Sequence, residues 1–241
     1  MKEKVFAVGD VHGEYDMLED LLRHWNPEEE QLVFLGDLGD RGPDAKNCFL
    51  KVHQLVQTAG AVCVSGNHED MLLNWLAAPK KEIGLYLLNG GRTTIESFFH
   101  EGILTEKSPQ EIAQLFETDY PDLLDFLRQL PLYYEHDVCL CVHAGVNLDL
   151  ADWRQSSRYD FIWSREEFFA KETSLDKLIV FGHTPLPYLH QNASQTHLWY
   201  RNNKLNIDGG AAYGGALHGV VISEHGLEAD YQIFSKNYRL S

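Results

Sequence analysis

Short apolar runs that lead into glycine or histidine and then into polar residues recur along the chain. Their β-branched residues, and the turn-forming residues after them, predict strands. The six runs cover residues 4–8, 31–35, 61–65, 138–142, 178–181 and 205–207. Apolar residues at helical spacing follow the first two runs, at Leu18 to Trp25 and at Phe49 to Val56. This alternation of strand, polar turn and helix is typical of an α/β fold whose sheets contain parallel strands.

The alternation is interrupted between about residues 79 and 135. Ser108, Pro109 and Glu111 have the spacing of a helix-capping box with proline at the first helical position, and leucines at helical spacing follow. We therefore expect a helical insertion within a single domain that spans residues 1–241.

Two glycine-rich segments each allow a specific structural prediction. NGGRTT at residues 89–94 is either a phosphate-cradling loop or a Gly-Gly turn, and we prefer the turn because such turns are more frequent. The segment AAYGGALHGVVI at residues 211–222 is expected to form the last hairpin.

Composition excludes several classes of partner. A formal net charge of −16 opposes binding to nucleic acid, which requires Lys and Arg to displace counterions. The chain has no run of about 18 apolar residues, and its first residues enter a strand pattern without a leader, so we expect no membrane contact and a cytoplasmic protein. The cysteines lack CxxC spacing and are expected to be reduced thiols in the core. They are Cys48, Cys63, Cys139 and Cys141.

Metal-binding residue types follow the predicted strands. These residues are Asp10, His12, Asp37, Asn67, His68, His143 and His183. The carboxyl ends of parallel strands meet at one edge of a sheet, where we expect these side chains to converge. Asp10 and His12 are two apart, so on an extended strand end both project to the same face. Carboxylate, amide and imidazole together suit Mn, Fe or Zn better than Ca. Asp208 lies at another apparent strand end, and it either approaches the metals or makes a turn.

Five motifs in chain order carry a family resemblance. They are GDVHG (9–13), GDLGDRG (36–42), GNHE (66–69), HAG (143–145) and GHT (182–184). This set resembles the phosphoprotein phosphatase branch of the calcineurin-like metallophosphoesterases, and especially its compact bacterial and phage serine/threonine phosphatases. The resemblance implies a β-sandwich of mixed sheets flanked by helices, with two divalent metal ions, manganese being expected and iron or zinc being alternatives.

The resemblance also implies roles for individual residues. One ion is assigned to Asp10, His12 and Asp37, and the other to Asp37, Asn67, His143 and His183. Arg41 would bind the phosphate together with Arg165, which lies in WSREEF at 163–168. His68 would be the general acid, oriented by Asp40, although Asp40 could instead be a turn or helix-start residue. Asp44, after Pro43, is expected to begin the following helix.

The leading functional hypothesis is a metal-dependent phosphomonoesterase that hydrolyses phosphoserine or phosphothreonine in proteins, with phosphotyrosine as a further substrate. By the resemblance, a water that bridges the two metals attacks the phosphorus directly. Expected partners are therefore a phosphorylated protein or a small phosphoester, without nucleic acid or membrane. The sequence leaves the natural substrate and the oligomeric state open.

Two other functions compete with this hypothesis. A symmetrical diadenosine tetraphosphate hydrolase shares GDxHG and GNH, but its second motif generally lacks the second aspartate and its third ends in Asp. This chain has Asp40 and Glu69 at those positions, which favours the phosphatase. A non-catalytic metal-holding scaffold that recognises phosphorylated partners would be indicated by loss of His68, Asp40 or a motif arginine. All of these residues are present.

Overall fold

The computed structural model describes residues 2–173, 175–192 and 195–236. The strands of these residues are β1 (Lys4–Val8), β2 (Glu30–Phe34), β3 (Val62–Cys63), β4 (Tyr133–Glu135), β5 (Cys139–Val142), β6 (Leu178–Phe181), β7 (Trp199–Arg201), β8 (Lys204–Asn206), β9 (Ala216–Ser223) and β10 (Gly226–Phe234). They form two five-stranded sheets, ordered β10-β9-β1-β2-β3 and β4-β5-β6-β8-β7.

Helices cover the outer faces of the sheets. They are α1 (Tyr15–Leu22), α2 (Ala45–Ala59), α3 (Asn67–Ala77), α4 (Pro79–Leu88), α5 (Gly91–Phe98), α6 (Ile103–Glu106), α7 (Pro109–Asp119), α8 (Pro121–Arg128), α9 (Arg158–Trp163), α10 (Glu166–Phe169) and α11 (Leu186–Leu189). Short 3₁₀ turns occur at Trp153–Gln155 and Ala211–Tyr213. The two helices predicted from apolar residues at helical spacing after the first two runs are present, as α1 and α2.

Side-chain alternation along β1 shows how the layers are built. Val5 and Ala7 point into the core between the two sheets, where they pack with residues such as Cys141 and Val180 of the second sheet. Phe6 and Val8 point outward into the core beneath the helices. A strand buried on both faces has this two-sided apolar pattern. The predicted sandwich of mixed sheets flanked by helices is confirmed.

Each sheet contains three parallel strands, and their ends position the polar motifs. In the first sheet β2 is parallel to both β1 and β3, and in the second sheet β6 is parallel to both β5 and β8. The residues that follow these six strands include all seven of the predicted metal-binding residues. The parallel arrangement therefore gathers segments that are far apart in the chain at neighbouring sheet edges.

The segment from Pro79 to Arg128 forms helices α4 to α8, as the sequence predicts for the insertion. The capping box is confirmed, since Ser108 N–H donates to Glu111 Oε2 at 2.8 Å and Glu111 N–H donates to Ser108 Oγ at 3.4 Å. Apolar side chains of these helices, including Phe98 and Phe116, belong to the same core as the outer face of β1. The insertion is thus packed against the sandwich through a shared core.

The two glycine-rich segments turn out differently. Asn89 and Gly90 form a turn and Gly91 begins α5, so NGGRTT contains a turn as expected, and its Asn89 also lines the cavity described below. The hairpin prediction for residues 211–222 was wrong in position, because the hairpin is β9 and β10, with Gly226 at φ 94°. Residues 211–213 form a 3₁₀ turn between glycines with left-handed φ, which shortens the strand that the apolar pattern suggested.

Asp44 and the cysteines agree with the sequence expectations. Asp44 is the N-cap of α2, and its carboxylate accepts the N–H of Asn47 at 3.1 Å. All four cysteines are buried free thiols, and Cys139 and Cys141 lie on one face of β5 with their sulfurs 3.8 Å apart. Within the described ranges, no helix has both the length and the apolar character required to cross a bilayer.

A buried lysine connects β8 to the segment after Arg165. Lys204 is fully buried, and its ammonium donates to the carbonyls of Phe168 at 3.0 Å, Phe169 at 3.3 Å and Lys171. Burial lowers the pKa of Lys204 to about 8. Its donors satisfy carbonyls at the end of α10, the helix that begins directly after Arg165.

Lys204→Met should lower the free energy of unfolding by about 1–3 kcal/mol, because it leaves buried carbonyls without a donor. Urea denaturation measures this change. Lys51→Met is the matched control, since Lys51 is 28% exposed and pairs with Glu19 at 2.7 Å, and it should cost less than about 1 kcal/mol. Equal losses in the two variants would contradict the structural role assigned to Lys204.

Candidate metal centre and active site

Two groups of ligand atoms share the carboxylate of Asp37. His12, Asp37 and His68 form one group, and Asp37, His143 and His183 form the other, with the ligand atoms of each group within 4.8 Å of one another. All five residues are buried. The Asp37 oxygens lie 3.5 Å from His12 Nε2, 3.9 Å from His68 Nε2 and 3.5 Å from His143 Nε2. The chain thus presents two adjacent binding positions with one common carboxylate.

Hydrogen bonds fix the tautomers of two of these histidines. His12 Nδ1 lies 2.8 Å from the carbonyl of Gly39, and His143 Nδ1 lies 2.8 Å from the carbonyl of Leu35. A carbonyl accepts only, so both Nδ1 atoms carry a proton and both Nε2 atoms have a free lone pair. These lone pairs face the Asp37 carboxylate. Imidazole lone pairs and carboxylate oxygens are both acceptors, so where they face each other in a buried site a cation between them stabilises the arrangement.

His183 provides a separate test of the fit. Its Nε2 atom is buried and has no hydrogen-bond partner among the described residues. Burial lowers the pKa of His183 to about 2 and the pKa of His12 well below its usual value, so both imidazoles are neutral ligands at neutral pH. A buried nitrogen without a partner is uncommon in native proteins, and a metal ion would satisfy it.

Three carboxylates lie close together in the same region. Asp10, Asp37 and Asp208 are each at most 3% exposed. Burial and the charges of Asp208 and Asp37 raise the pKa of Asp10 well above its usual range, and burial raises the pKa of Asp208 to about 6. Neutral imidazoles do not offset this concentration of negative charge. The donor set therefore fits divalent cations of the borderline type.

Three of the predicted residues have neighbours that bear on their roles. The Asp10 carboxylate accepts the N–H of His183 at 3.1 and 3.2 Å, so it lies beside the second group and outside both groups. Asn67 Oδ1 lies 3.0 Å from His143 Nε2. The Arg41 guanidinium contacts His12 Nε2 and lies 5.2 Å from the centre of the Tyr213 ring. A positive group therefore lies at one of the nitrogens that the resemblance assigns to a metal.

The geometry at His12 arises from a turn, not from an extended strand. We expected Asp10 and His12 to project to one face of a strand end, but β1 ends at Val8 and His12 has φ 46°. Five of the eight non-glycine residues with positive φ in the described chain belong to the predicted site; they are His12, Asp37, Asp40, Arg41 and His183. Such conformations cost about 1–2 kcal/mol each and persist only where other contacts enforce them.

His68 and Asp40 form a buried pair. His68 Nδ1 lies 2.6 Å from Asp40 Oδ2, and the His68 N–H donates to Asp37 Oδ1 at 3.0 Å. Burial lowers the pKa of His68, but the Asp37 charge and the Asp40 hydrogen bond outweigh it and raise that pKa overall. With Nδ1 committed to Asp40, Nε2 is the nitrogen available to exchange a proton with a bound substrate.

A cavity of about 90 Å³ lies above these residues. Among the described residues that line it, Arg41 and Arg165 are the cationic ones, and Asn89, Trp163, Tyr213 and Asp208 also reach it. Arg165 Nη1 donates to Thr184 Oγ1 at 3.0 Å and to the carbonyl of His183 at 3.3 Å. Such a cavity can hold a small anion between two guanidinium groups.

Several residues that support the site had no assigned role in the sequence analysis. The Glu69 carboxylate accepts the N–H groups of Asp37 at 2.9 Å, Leu38 at 2.8 Å and Gly66 at 2.8 Å, and so it joins two motif turns. Tyr86 and Thr94 of the insertion contact Asp40. Glu69 lies inside a motif and could have been found there, whereas Tyr86 looks like any core aromatic residue.

Comparisons with known proteins agree with this arrangement. Residues 3–214 match the family model described as calcineurin-like phosphoesterase. The chain is 31% identical over 222 residues to serine/threonine-protein phosphatase 1 of Salmonella typhimurium, covering 88% of this chain and 89% of that protein. It is 28% identical over 236 residues to the asymmetrical bis(5'-nucleosyl)-tetraphosphatase PrpE of Halalkalibacterium halodurans, covering 87% and 86%.

Solved structures give the same fold. A candidate diadenosine tetraphosphatase superimposes with a TM-score of 0.66 at 22% identity, covering 98% of this chain and 96% of that chain. The cold-active protein-tyrosine phosphatase of a Shewanella species has a TM-score of 0.60 at 18% identity, covering 96% and 80%. At these identities the likeness concerns the fold alone.

Asp37→Asn should lower total bound metal more than Asp10→Asn, because Asp37 is shared by both groups whereas Asp10 is assigned to one ion only. Elemental analysis of protein loaded with Mn²⁺ and then desalted measures the difference. Asp44→Asn, which keeps an N-cap residue outside the site, should retain the wild-type metal content. Equal losses in the Asp37 and Asp10 variants, or two metals retained by Asp37→Asn, would refute the bridging role.

Proposed function

Because the chain belongs to the calcineurin-like phosphoesterases, we propose that it is a metal-dependent phosphomonoesterase acting on phosphoserine and phosphothreonine in proteins. The observation that carries this proposal is the buried pair of His68 and Asp40, with Nδ1 and Oδ2 at 2.6 Å, beside a cavity flanked by two arginines. A non-catalytic scaffold would have no use for a proton donor oriented in this way.

The donor set supports a dinuclear centre. In this proposal Asp10, His12 and Asp37 would hold one divalent ion, and Asp37, Asn67, His143 and His183 would hold the other, with manganese as the metal. His68 lies in the first group of ligand atoms, but its Nδ1 is bonded to Asp40, and we assign its Nε2 to the proton transfer and not to a metal. Bound divalent ions supply positive charge to the phosphate oxygens and lower the pKa of the attacking water toward neutrality. The four buried free thiols support a reducing, cytoplasmic location.

The side chains of the chain itself perform the remaining steps. Arg41 and Arg165 orient the phosphate dianion through their planar donor groups. His68 delivers the proton from Nε2 to the leaving oxygen as its bond to phosphorus breaks, since a serine or threonine alkoxide is a poor leaving group. Asp40 accepts the His68 Nδ1–H bond throughout, which keeps the imidazole ring oriented and stabilises its charged form.

The size and charge of the cavity favour a monoester. The cavity is small, at about 90 Å³, and its two arginines suit a single phosphate group. A tetraphosphate carries further negative charges that would require cations outside the cavity. Arg92, in the NGGRTT segment whose Asn89 lines the cavity, pairs with Glu96 at 3.2 Å.

Dinucleoside tetraphosphate hydrolysis is the second candidate. The similarity to PrpE favours it, and PrpE is the asymmetrical type, whereas the sequence analysis considered the symmetrical one. Within the site, the Tyr213 ring is 65% exposed and stacks over Arg41, so it offers a surface on which a nucleobase could stack.

The two candidates differ in substrate preference. With Mn²⁺ present, kcat/KM for phosphoserine or phosphothreonine peptides should exceed kcat/KM for diadenosine tetraphosphate. Basic residues beside the phosphosite should help more at low ionic strength, where the acidic surface is less screened. Preference for the dinucleotide, lost on Arg92→Ala or Tyr213→Ala, would replace the first candidate by the second.

His68→Asn tests the proton donor. The variant should keep its metal content and lose roughly 10²- to 10⁴-fold in kcat on a phosphoserine peptide. The loss should be smaller on p-nitrophenyl phosphate, because p-nitrophenolate leaves without protonation. Steady-state kinetics on both substrates, with metal analysis of the same samples, measures this, and equal losses on both would exclude the acid role.

A further inference from the structure

The carboxylate of Asp40 is hydrogen-bonded on both oxygens. Oδ2 lies 2.6 Å from His68 Nδ1. Oδ1 accepts two hydroxyl groups from the helical insertion, from Tyr86 at 2.8 Å and from Thr94 at 2.5 Å. All four residues are at most 2% exposed, so water does not compete for these bonds. The insertion therefore completes a buried network that ends at the proton-donating histidine.

Thr94 holds the backbone of Asp40 as well as its side chain. The Asp40 N–H donates to Thr94 Oγ1 at 2.8 Å, which directs the Thr94 hydroxyl proton toward Oδ1. Asp40 has φ 68°, a left-handed conformation that requires such support. The next residue is held in the same way, because the Arg41 N–H donates to the carbonyl of Gly90 at 3.2 Å.

The Tyr86 hydroxyl is aimed by the packing of its ring. The ring stacks on Trp75, with centroids 5.2 Å apart and planes at 14°. On the Gly91 side there is no room for a side chain, since a Cβ there would lie 2.5 Å from ring atoms of Tyr86. Trp75 belongs to α3, the same helix that carries His68. The position of the Tyr86 hydroxyl therefore depends on α3, the helix that carries His68.

Fixing Oδ1 has a consequence for Oδ2. A carboxylate that is bonded through one oxygen only can rotate about its terminal torsion and weaken its bond to the imidazole. Two donors on Oδ1 define the carboxylate plane, so Oδ2 stays directed at His68 Nδ1. Partners of this kind, one bond removed from the reacting group, set the orientation of an imidazole ring.

We propose that Tyr86 and Thr94 are positioning residues for the proton transfer by His68, acting through Asp40. The helical insertion is then part of the machinery of the reaction. The inference rests on the proposed function, since it concerns the proton that His68 delivers. The competing view is that the two hydroxyls only satisfy a buried carboxylate and contribute to folding alone.

The first experiment compares leaving groups. Tyr86→Phe removes one hydroxyl and keeps the ring, and it should lower kcat roughly 10-fold on a phosphothreonine peptide, the worth of one hydrogen bond to a charged group. The loss on p-nitrophenyl phosphate should be less than about 2-fold, because that leaving group needs no proton. KM and the metal content should be unchanged. Equal losses on both substrates would overturn the positioning role.

Matched variants separate positioning from folding. Tyr120→Phe is the control, since Tyr120 lies in the same insertion and donates its hydroxyl to the carbonyl of Phe98 at 3.2 Å. It should leave kcat unchanged on both substrates. Thr94→Ser should retain kcat, whereas Thr94→Val should lose it as Tyr86→Phe does. A loss in Thr94→Ser equal to that in Thr94→Val would show that the hydroxyl is not the active feature.

A double-mutant cycle keeps this inference distinct from the proposed function. In an Asp40→Asn background, Tyr86→Phe should cost less than about 2-fold, because its effect passes through a carboxylate that is already absent. Full multiplication of the two losses would overturn the inference. The cycle is measured on a substrate whose leaving group needs a proton and on which Tyr86→Phe alone lowers kcat, whether or not that substrate is a phosphopeptide. The failure of His68→Asn to discriminate between leaving groups would instead remove the acid role.

Discussion

The carboxylate of Asp37 lies where the ligand atoms of both sheets meet, with imidazole nitrogens at 3.5 Å on either oxygen. Because His12 and His143 donate their Nδ1 protons to backbone carbonyls, the nitrogens that face Asp37 carry no proton. A buried carboxylate among neutral acceptors is costly without a compensating cation. A site in which so many acceptors converge at one sheet edge therefore requires positive charge. Arg41 and Arg165 supply part of it from the wall of the cavity.

The backbone around Asp37 is shaped by the same requirement. Its left-handed φ of 51° is held by the Glu69 carboxylate, which binds the Asp37 N–H. Gly66 must be glycine because a Cβ there would collide with Asp37 Oδ1, and Gly182 must be glycine because a Cβ there would collide with Asp10 Oδ1. The glycines that begin GNHE and GHT are thus explained by the close approach of a carboxylate to their own backbone, and not by turn formation alone.

Much of this arrangement follows from the sequence. Strands that end in glycine can be predicted from the local pattern, and the parallel topology then fixes where their ends meet. His12, Asp37, His68, His143 and His183 could therefore be grouped in advance. The network around Asp40 could not, since Tyr86 is 46 residues away and sits in a helix whose pattern is that of an ordinary core element. The local pattern also gave a wrong prediction at the first motif, because it predicted an extended strand end where His12 lies in a turn.

Discrimination between substrates has to arise away from Asp37. Relatives named as a protein phosphatase and as a dinucleoside tetraphosphatase are similar to this chain at 31% and 28% identity, so membership of the family does not choose between them. In the proposed function, the deep part of the site binds the phosphate group, which both substrate classes share. Asn89 of the insertion, Trp163 and Tyr213 also line the cavity, and we assign to them the contacts with the group attached to that phosphate. Because the turn at Asn89 also joins α4, which carries Tyr86, to α5, which carries Thr94, a change in the insertion that altered the rim would alter the support of Asp40 as well. If the proposed roles hold, selectivity and proton delivery are physically linked in this chain through one helical segment.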